Sequence, residues 1–164
     1  RNDGPTPHVG LYLNDAASTK MEYYLDYATR VTTGRCLDGD VQELFTTTQI
    51  TSTAPANAAD LPESVTGNGL FTPRGTMRLN LRFYSPYEGG FTEMRVNNKQ
   101  QTVYADRHLG RNVTGIVLEV KPGETLIVTT AMISGPGQDG DVVFSTTPGV
   151  NSTPNDVVTP SACG

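Results

Sequence analysis

Five polar side chains crowd one short stretch, GLYLNDAASTKMEYYLDY (Gly10 to Tyr27), and together could do recognition chemistry: Asn14, Asp15, Lys20, Tyr24 and Asp26. Amide, carboxylate and ammonium groups hydrogen-bond to hydroxyls, and a tyrosine ring adds a flat apolar face with a hydroxyl handle, a combination that suits a glycan. The same residues also suit a scaffold. Asn14 and Asp15 can bond their own backbone in a sharp turn between a strand HVGLYL and a strand MEYYLDY, with Lys20 capping that turn or pairing with Asp15. Alternating tyrosines on a strand are more often cross-strand packing than a binding platform.

Other spacings carry less chemistry. LDGD (Leu37 to Asp40) and QDGD (Gln138 to Asp141) set two carboxylates two residues apart, as calcium loops do, yet calcium needs six or more oxygens and turns explain both stretches. His8 and His108 are the two histidines. ADRH (Ala105 to His108) could hold an imidazole near Asp106, but no serine in a G-x-S-x-G elbow accompanies it. Glu22, Asp26, Glu93 and Glu119 could supply a glycosidase pair, and the sequence places no two of them across a cleft. GPGQDG reads as a turn between strands, not as a phosphate cradle, and NVT (Asn112 to Thr114) and NST (Asn151 to Thr153) fit a sequon that a Thr-rich chain produces by chance. No catalytic residue, metal site or cofactor is assigned.

Composition narrows the partner. The 164 residues carry 17 Asp and Glu against 12 Lys and Arg, a formal net charge of −5, with no basic run, so neither a phosphate backbone nor an anionic membrane is invited and nucleic acid is not expected as a partner. A charged fraction of 18% and three lysines (Lys20, Lys99, Lys121) amid abundant Thr, Ser, Asn, Gly and Pro fit a secreted or cell-surface β-protein. Cys36 and Cys163 sit in no metal-binding spacing; in an exported protein such a pair reads as one disulfide that ties a C-terminal tail back to the body. The chain begins with Arg1, so a signal peptide or membrane anchor is expected to have been removed or to lie upstream. No stretch approaches the roughly 20 apolar residues of a membrane-spanning helix.

The elements that must position these groups follow a period of two. Met21, Tyr23, Leu25, Tyr27 and Val31 share one face of a long strand, and VQELFTTTQITST (Val41 to Thr53) makes its β-branched partner through an Asp38-Gly39 turn. Residues 54–75 read as a long surface loop with one helical turn at ANAAD. TMRLNLRFYSP alternates Met77, Leu79, Leu81 and Phe83 inward with Arg78, Asn80, Arg82 and Tyr84 outward. Further strands follow, with a hairpin at Asn97-Asn98, a turn at KPGE (Lys121 to Glu124) and DVVFSTT as the last strand. The expected fold is all-β, an antiparallel β-sandwich, immunoglobulin-like in its second half. Residues 1–147 form one sandwich domain, with residues 1–70 either completing it or belonging in part to a preceding domain, and 148–164 form a Pro-rich tail held by the disulfide.

The ND-x-x-x-x-K-M-x-Y-Y-L segment, a Cys-containing strand, a Thr-rich strand, the LPESVTGNG loop and a terminal TPGV, in that order, resemble the C-terminal part of an actinobacterial envelope protein family catalogued as a domain of unknown function. The resemblance implies an outward-facing domain of a membrane-anchored parent protein and no known catalytic residues. The expected role is structural or interactive, with cell-envelope polysaccharide as the partner. The alternative is a non-catalytic support domain of an enzyme acting in surface-polysaccharide assembly.

Overall fold

A computed structural model of the chain describes residues 3–147, 151–152 and 156–164. Two six-stranded sheets pack face to face. The first, sheet A, runs β12 (Asp156–Thr159), β10 (Val142–Thr146), β1 (His8–Asp15), β4 (Met77–Tyr87), β8 (Arg111–Val120) and β7 (Ala105–His108). The second, sheet B, runs β11 (Asn151–Ser152), β2 (Leu25–Leu37), β3 (Val41–Ser52), β9 (Thr125–Ile133), β5 (Gly90–Val96) and β6 (Lys99–Gln100). Pairing is antiparallel except where β1 meets β10 and where β11 meets β2. The protein is an all-β sandwich.

Alternation explains both sheets. Leu11, Leu79, Leu81 and Phe83 of sheet A are fully buried, and their neighbours Tyr12, Asn80, Arg82 and Tyr84 face away from the core. Leu44, Ile50, Val128 and Met132 answer from sheet B. The inner face of sheet B is also unusually polar, since Gln42, Thr46, Thr48, Ser52 and Thr130 are buried there. Each needs a partner, and Thr46 and Thr130 find one in each other's hydroxyl across β3 and β9.

The Asp38-Gly39 turn joins β2 to β3, Asn97 and Asn98 take left-handed φ of 47° and 65° between β5 and β6, and Ala58–Asp60 makes the helical turn within the long loop. A short helix, α1 (Glu63–Thr66), follows it.

Three strand readings change. Met21–Tyr24 is a 3-10 turn and not the start of a strand; β2 begins at Leu25 and runs on to Leu37. The reason is topological: β1 and β2 lie in different sheets, so the chain must cross the end of the sandwich, and it turns Met21 into the core while leaving Tyr23 69% exposed. For the same reason Asn14 and Asp15 end β1 before a crossover and do not form a hairpin. DVVFSTT is likewise not the last strand, because β11 and β12 follow it, whereas KPGE makes the expected turn between β8 and β9 while carrying the chain from one sheet to the other. Residues 148–150, which include most of TPGV, and Thr153 of the second sequon lie outside the described residues.

The end of the chain touches both sheets. β12 pairs with β10 of sheet A, the Thr159 hydroxyl donates to the Val31 carbonyl of sheet B, and Cys163 is disulfide-bonded to Cys36 of β2 across 127 residues. A link of that span restricts the unfolded chain more than the folded one. Replacing both cysteines by alanine is therefore expected to lower the unfolding free energy by about 4 kcal/mol. Urea titrations of the oxidised and cysteine-free proteins test this, and coincident midpoints would contradict it.

Candidate functional site

The five polar residues of the Gly10 to Tyr27 stretch are divided between two surfaces. Asn14 is exposed on the outer side of β1, opposite Asn80, whereas Asp26 is exposed on the outer side of β2, opposite Thr51. Asp15 works as a turn-former: its carboxylate accepts the Ala17 and Thr19 N–H groups at 2.6 and 2.8 Å and the Thr19 hydroxyl at 3.0 Å. Lys20 is exposed, its backbone N–H donates to the Val65 carbonyl, and its ammonium makes no ion pair among the described residues. Tyr24 is half-buried against the core, edge-on to Tyr23 with ring centres 5.3 Å apart. Partial burial and the nearby Asp15 carboxylate push Glu22 above the ordinary carboxylate range.

A different constellation forms on the outer face of sheet A. Two adjoining hollows of about 650 and 570 Å³ are both lined by Tyr84 and His108, a size that accommodates small ligands. The first is bounded by His8, Tyr12 and Leu109, the second by Asn80, Arg82, Tyr104, Asp106 and Arg107. Tyr12 and Tyr84 meet edge to face, centres 5.2 Å apart and planes at 87°. Gly10 pairs with Tyr84 and Gly115 with Arg82, so neither partner position places a side chain over the floor. A methyl group at Gly10 would come within 3.2 Å of the Tyr12 ring, which lies over that glycine.

The wall of these hollows is the β7–β8 hairpin. Its two-residue loop, Leu109-Gly110, has both residues left-handed, with φ of 49° and 80°. Gly110 is required there, since an added Cβ would lie 2.2 Å from the Tyr87 ring. Leu109 is the anomaly, a bulky residue in a conformation that favours Asn or Gly, with its side chain 71% exposed at the mouth of the first hollow. Tyr104 is 81% exposed, and its carbonyl is held by the buried Thr114 hydroxyl at 2.9 Å. Arg111, next in chain after the loop, donates to the His8 and Ser85 carbonyls and to the Asp3 carboxylate. One guanidinium thus joins the N-terminal segment, β1, β4 and β8.

Sequence reading had already turned Arg82 and Tyr84 outward and had noted both histidines. It could not bring His8 to His108, or Tyr12 to Tyr84 and Tyr104, because those meetings depend on which strands pair. Asn112, the acceptor of the first sequon, is half-buried, and its side-chain amide donates to the Gly89 carbonyl at 2.6 Å. Among the described residues no three His, Cys, Asp or Glu side chains group closely enough to hold a metal ion.

No family model matches the chain, and no curated protein matches it. Solved structures do. A crystal structure of a "putative nutrient binding protein" from Legionella pneumophila is similar over 90% of this chain and 56% of its own, with a TM-score of 0.50 and 8% identity. The chain therefore spans about half the length of that structure, and the likeness is one of fold. An M1 zinc metallopeptidase from Deinococcus radiodurans is similar over 82% of this chain and 21% of its own, with a TM-score of 0.30 and 11% identity, too loose a match to carry an argument.

Two substitutions probe the local energetics. Leu109→Asn relieves the left-handed strain and is expected to add about 1 kcal/mol, raising Tm by about 2 to 4 °C; a fall in Tm on calorimetry would show that the leucine side chain stabilises the loop by more than its backbone costs. Glu22→Gln tests the raised carboxyl. A carboxyl with a folded pKa above its unfolded value binds more protons when folded, so stability falls as pH rises through that window. Glu22→Gln is expected to stabilise the protein at neutral pH and to make no difference at low pH, where the wild-type carboxyl is protonated in both states. Denaturation curves at the two pH values decide it, and a variant no more stable than the wild type at neutral pH would contradict it.

Proposed function

We propose that this chain is a non-catalytic interaction module of an exported protein, and that the outer face of sheet A binds a saccharide. The observation that carries the reading is the grouping of Tyr12, Tyr84 and Tyr104 around two adjoining hollows, with the Tyr12 ring seated over Gly10. Sugar rings have apolar faces and hydroxyl edges; tyrosine rings accept the first, and the Asn80, Asp106 and His108 side chains around them suit the second.

Three further points support it. The hollows are walled by a hairpin that holds an exposed leucine in a costly conformation, a feature that clusters at functional sites. The Cys36–Cys163 disulfide fits an oxidising compartment outside the cytoplasm. The Legionella protein that shares the fold is named for a binding role. The cell-envelope location and membrane-anchored parent that the family resemblance implies belong to the same proposal, with envelope polysaccharide as the partner.

Isothermal titration against a panel of oligosaccharides tests the reading. At least one member is expected to bind, and Tyr84→Ala and Tyr104→Ala are each expected to weaken it by about tenfold, or 1.4 kcal/mol, with unchanged Tm for the exposed Tyr104 and a lowered Tm for Tyr84, which packs on Tyr12. Binding that is indifferent to both tyrosines would move the site elsewhere, and an absence of heat across the panel would overturn the proposal.

A further inference from the structure

Resting on that saccharide reading, we infer that the sugar is uncharged, and that Arg82 and Asp106 hold the hydroxyls of one ring from opposite sides of β8. Strand register sets the arrangement. Arg82 and Tyr84 of β4 stand opposite Gly115 and Val113 of β8, and on the other edge of β8 Asp106 stands opposite Val113. Paired residues share a face, so the outer side of sheet A carries Arg82 and Tyr84 on one flank of β8 and Asp106 on the other, with Tyr104 two residues before Asp106 in the same hollow. Arg107 alternates to the other face, opposite Asn112.

Arg82 and Asp106 are opposite in charge, line one hollow and do not meet. Elsewhere arginine finds its carboxylate directly, Arg35 with Glu43, Arg95 with Glu93 and Arg111 with Asp3. Arg82 and Asp106 are exposed, and among the described residues neither side chain makes an ion pair or a hydrogen bond. Gly115 puts no side chain between them, although a Cβ there would meet the Leu81 carbonyl oxygen only at 3.4 Å and the Arg82 Cγ only at 3.9 Å. Charge then selects the ligand class. An anionic sugar loses at Asp106 what it gains at Arg82, and a cationic sugar does the reverse. A hydroxyl group donates to the carboxylate and accepts from the guanidinium, so a neutral polyol satisfies both, through charge-assisted hydrogen bonds that are stronger than neutral ones. Tyr84 and Tyr104 supply the apolar faces beside them.

Sugar chains that share a backbone and differ in charge test this. Cellohexaose is titrated beside the β-1,4-linked hexamers of glucosamine and of glucuronate, which are its cationic and anionic counterparts. Mannohexaose beside the hexamer of mannuronate, and the α-1,4-linked galactose hexamer beside the hexamer of galacturonate, repeat the comparison with other hydroxyl orientations. In the series that binds, the neutral chain is expected to be held about tenfold more tightly than a charged counterpart. Its affinity should stay constant as NaCl rises from about 0.05 to about 0.5 M, since the ligand carries no charge to screen. Arg82→Gln and Asp106→Asn should each weaken the neutral chain by about tenfold. Gly115→Ala should weaken it as well without lowering Tm, because the added methyl fits the fold and stands between the two groups.

A charged chain held as tightly as its neutral counterpart, or more tightly, and weakened by Tyr104→Ala would overturn the neutral-ligand inference and leave the saccharide reading standing. So would binding of a neutral chain that Tyr104→Ala weakens and that Arg82→Gln and Asp106→Asn leave intact. No binding of any chain, charged or neutral, would overturn both.

Discussion

The side-chain amide of Gln42 is the constraint on which the closure of this sandwich depends. It is fully buried at the start of β3, and three of its four hydrogen-bonding positions are met, both donors among them: it donates to the Gln138 and Gly140 carbonyls at 2.7 and 2.8 Å and accepts from the Ala162 N–H at 2.8 Å. Gln138 repeats the arrangement in miniature, accepting the Gly135 N–H on its own side-chain oxygen. A buried amide left half-satisfied would cost about 1 to 3 kcal/mol per lost partner, so the segment before β10 and the last residues of the chain are held in place together. The disulfide a few residues away secures the same end covalently. Once that end is held, β12 can lie along β10 and cover what would otherwise be an open sheet edge.

Sheet A inherits its shape from this arrangement. Because β10 is held beside β1, the parallel pairing of those strands sets β1 against β4 and, through β4, against β8 and β7. The outer face that results carries aromatic rings over glycines, with a hairpin wall at one side. The two sheets also differ in their interiors: sheet A buries leucine, methionine and phenylalanine, while sheet B buries a row of hydroxyl and amide groups that must find partners. Hydrogen-bonded interiors specify geometry more strictly than apolar ones, since a shifted register would leave donors unmet.

Much of this was readable in the chain. The alternation in TMRLNLRFYSP placed four core residues and four surface residues correctly, the Asp38-Gly39 and Asn97-Asn98 turns fell where their left-handed preferences require, and the cysteines paired. The failures around β1 and β2 have one cause. Met21 to Tyr24 alternates as well as any strand, but local periodicity does not say that the chain must cross from one sheet to the other at that point, and the crossing outweighs the pattern. The polar stretch from Asn14 to Asp26 was likewise legible as a turn-former at Asp15, and its distribution over two outer faces was not. The tyrosine face of sheet A had only a partial signal, in the outward set of β4.

By itself, then, the amino-acid order determined the all-β class, the positions of most strands and turns, the face each strand turns inward and the opportunity for a disulfide. All of these rest on interactions among residues close in sequence, or on a count of two cysteines. Only the tertiary structure decided which strands neighbour one another, and so brought His8 and His108 to one hollow and set Tyr84 between Tyr12 and Tyr104. The physical reason is that a strand's hydrogen-bonding edges are nearly the same whatever its sequence. Partner choice is settled by the packing of both sheets and by buried groups such as Gln42 that tolerate only one arrangement.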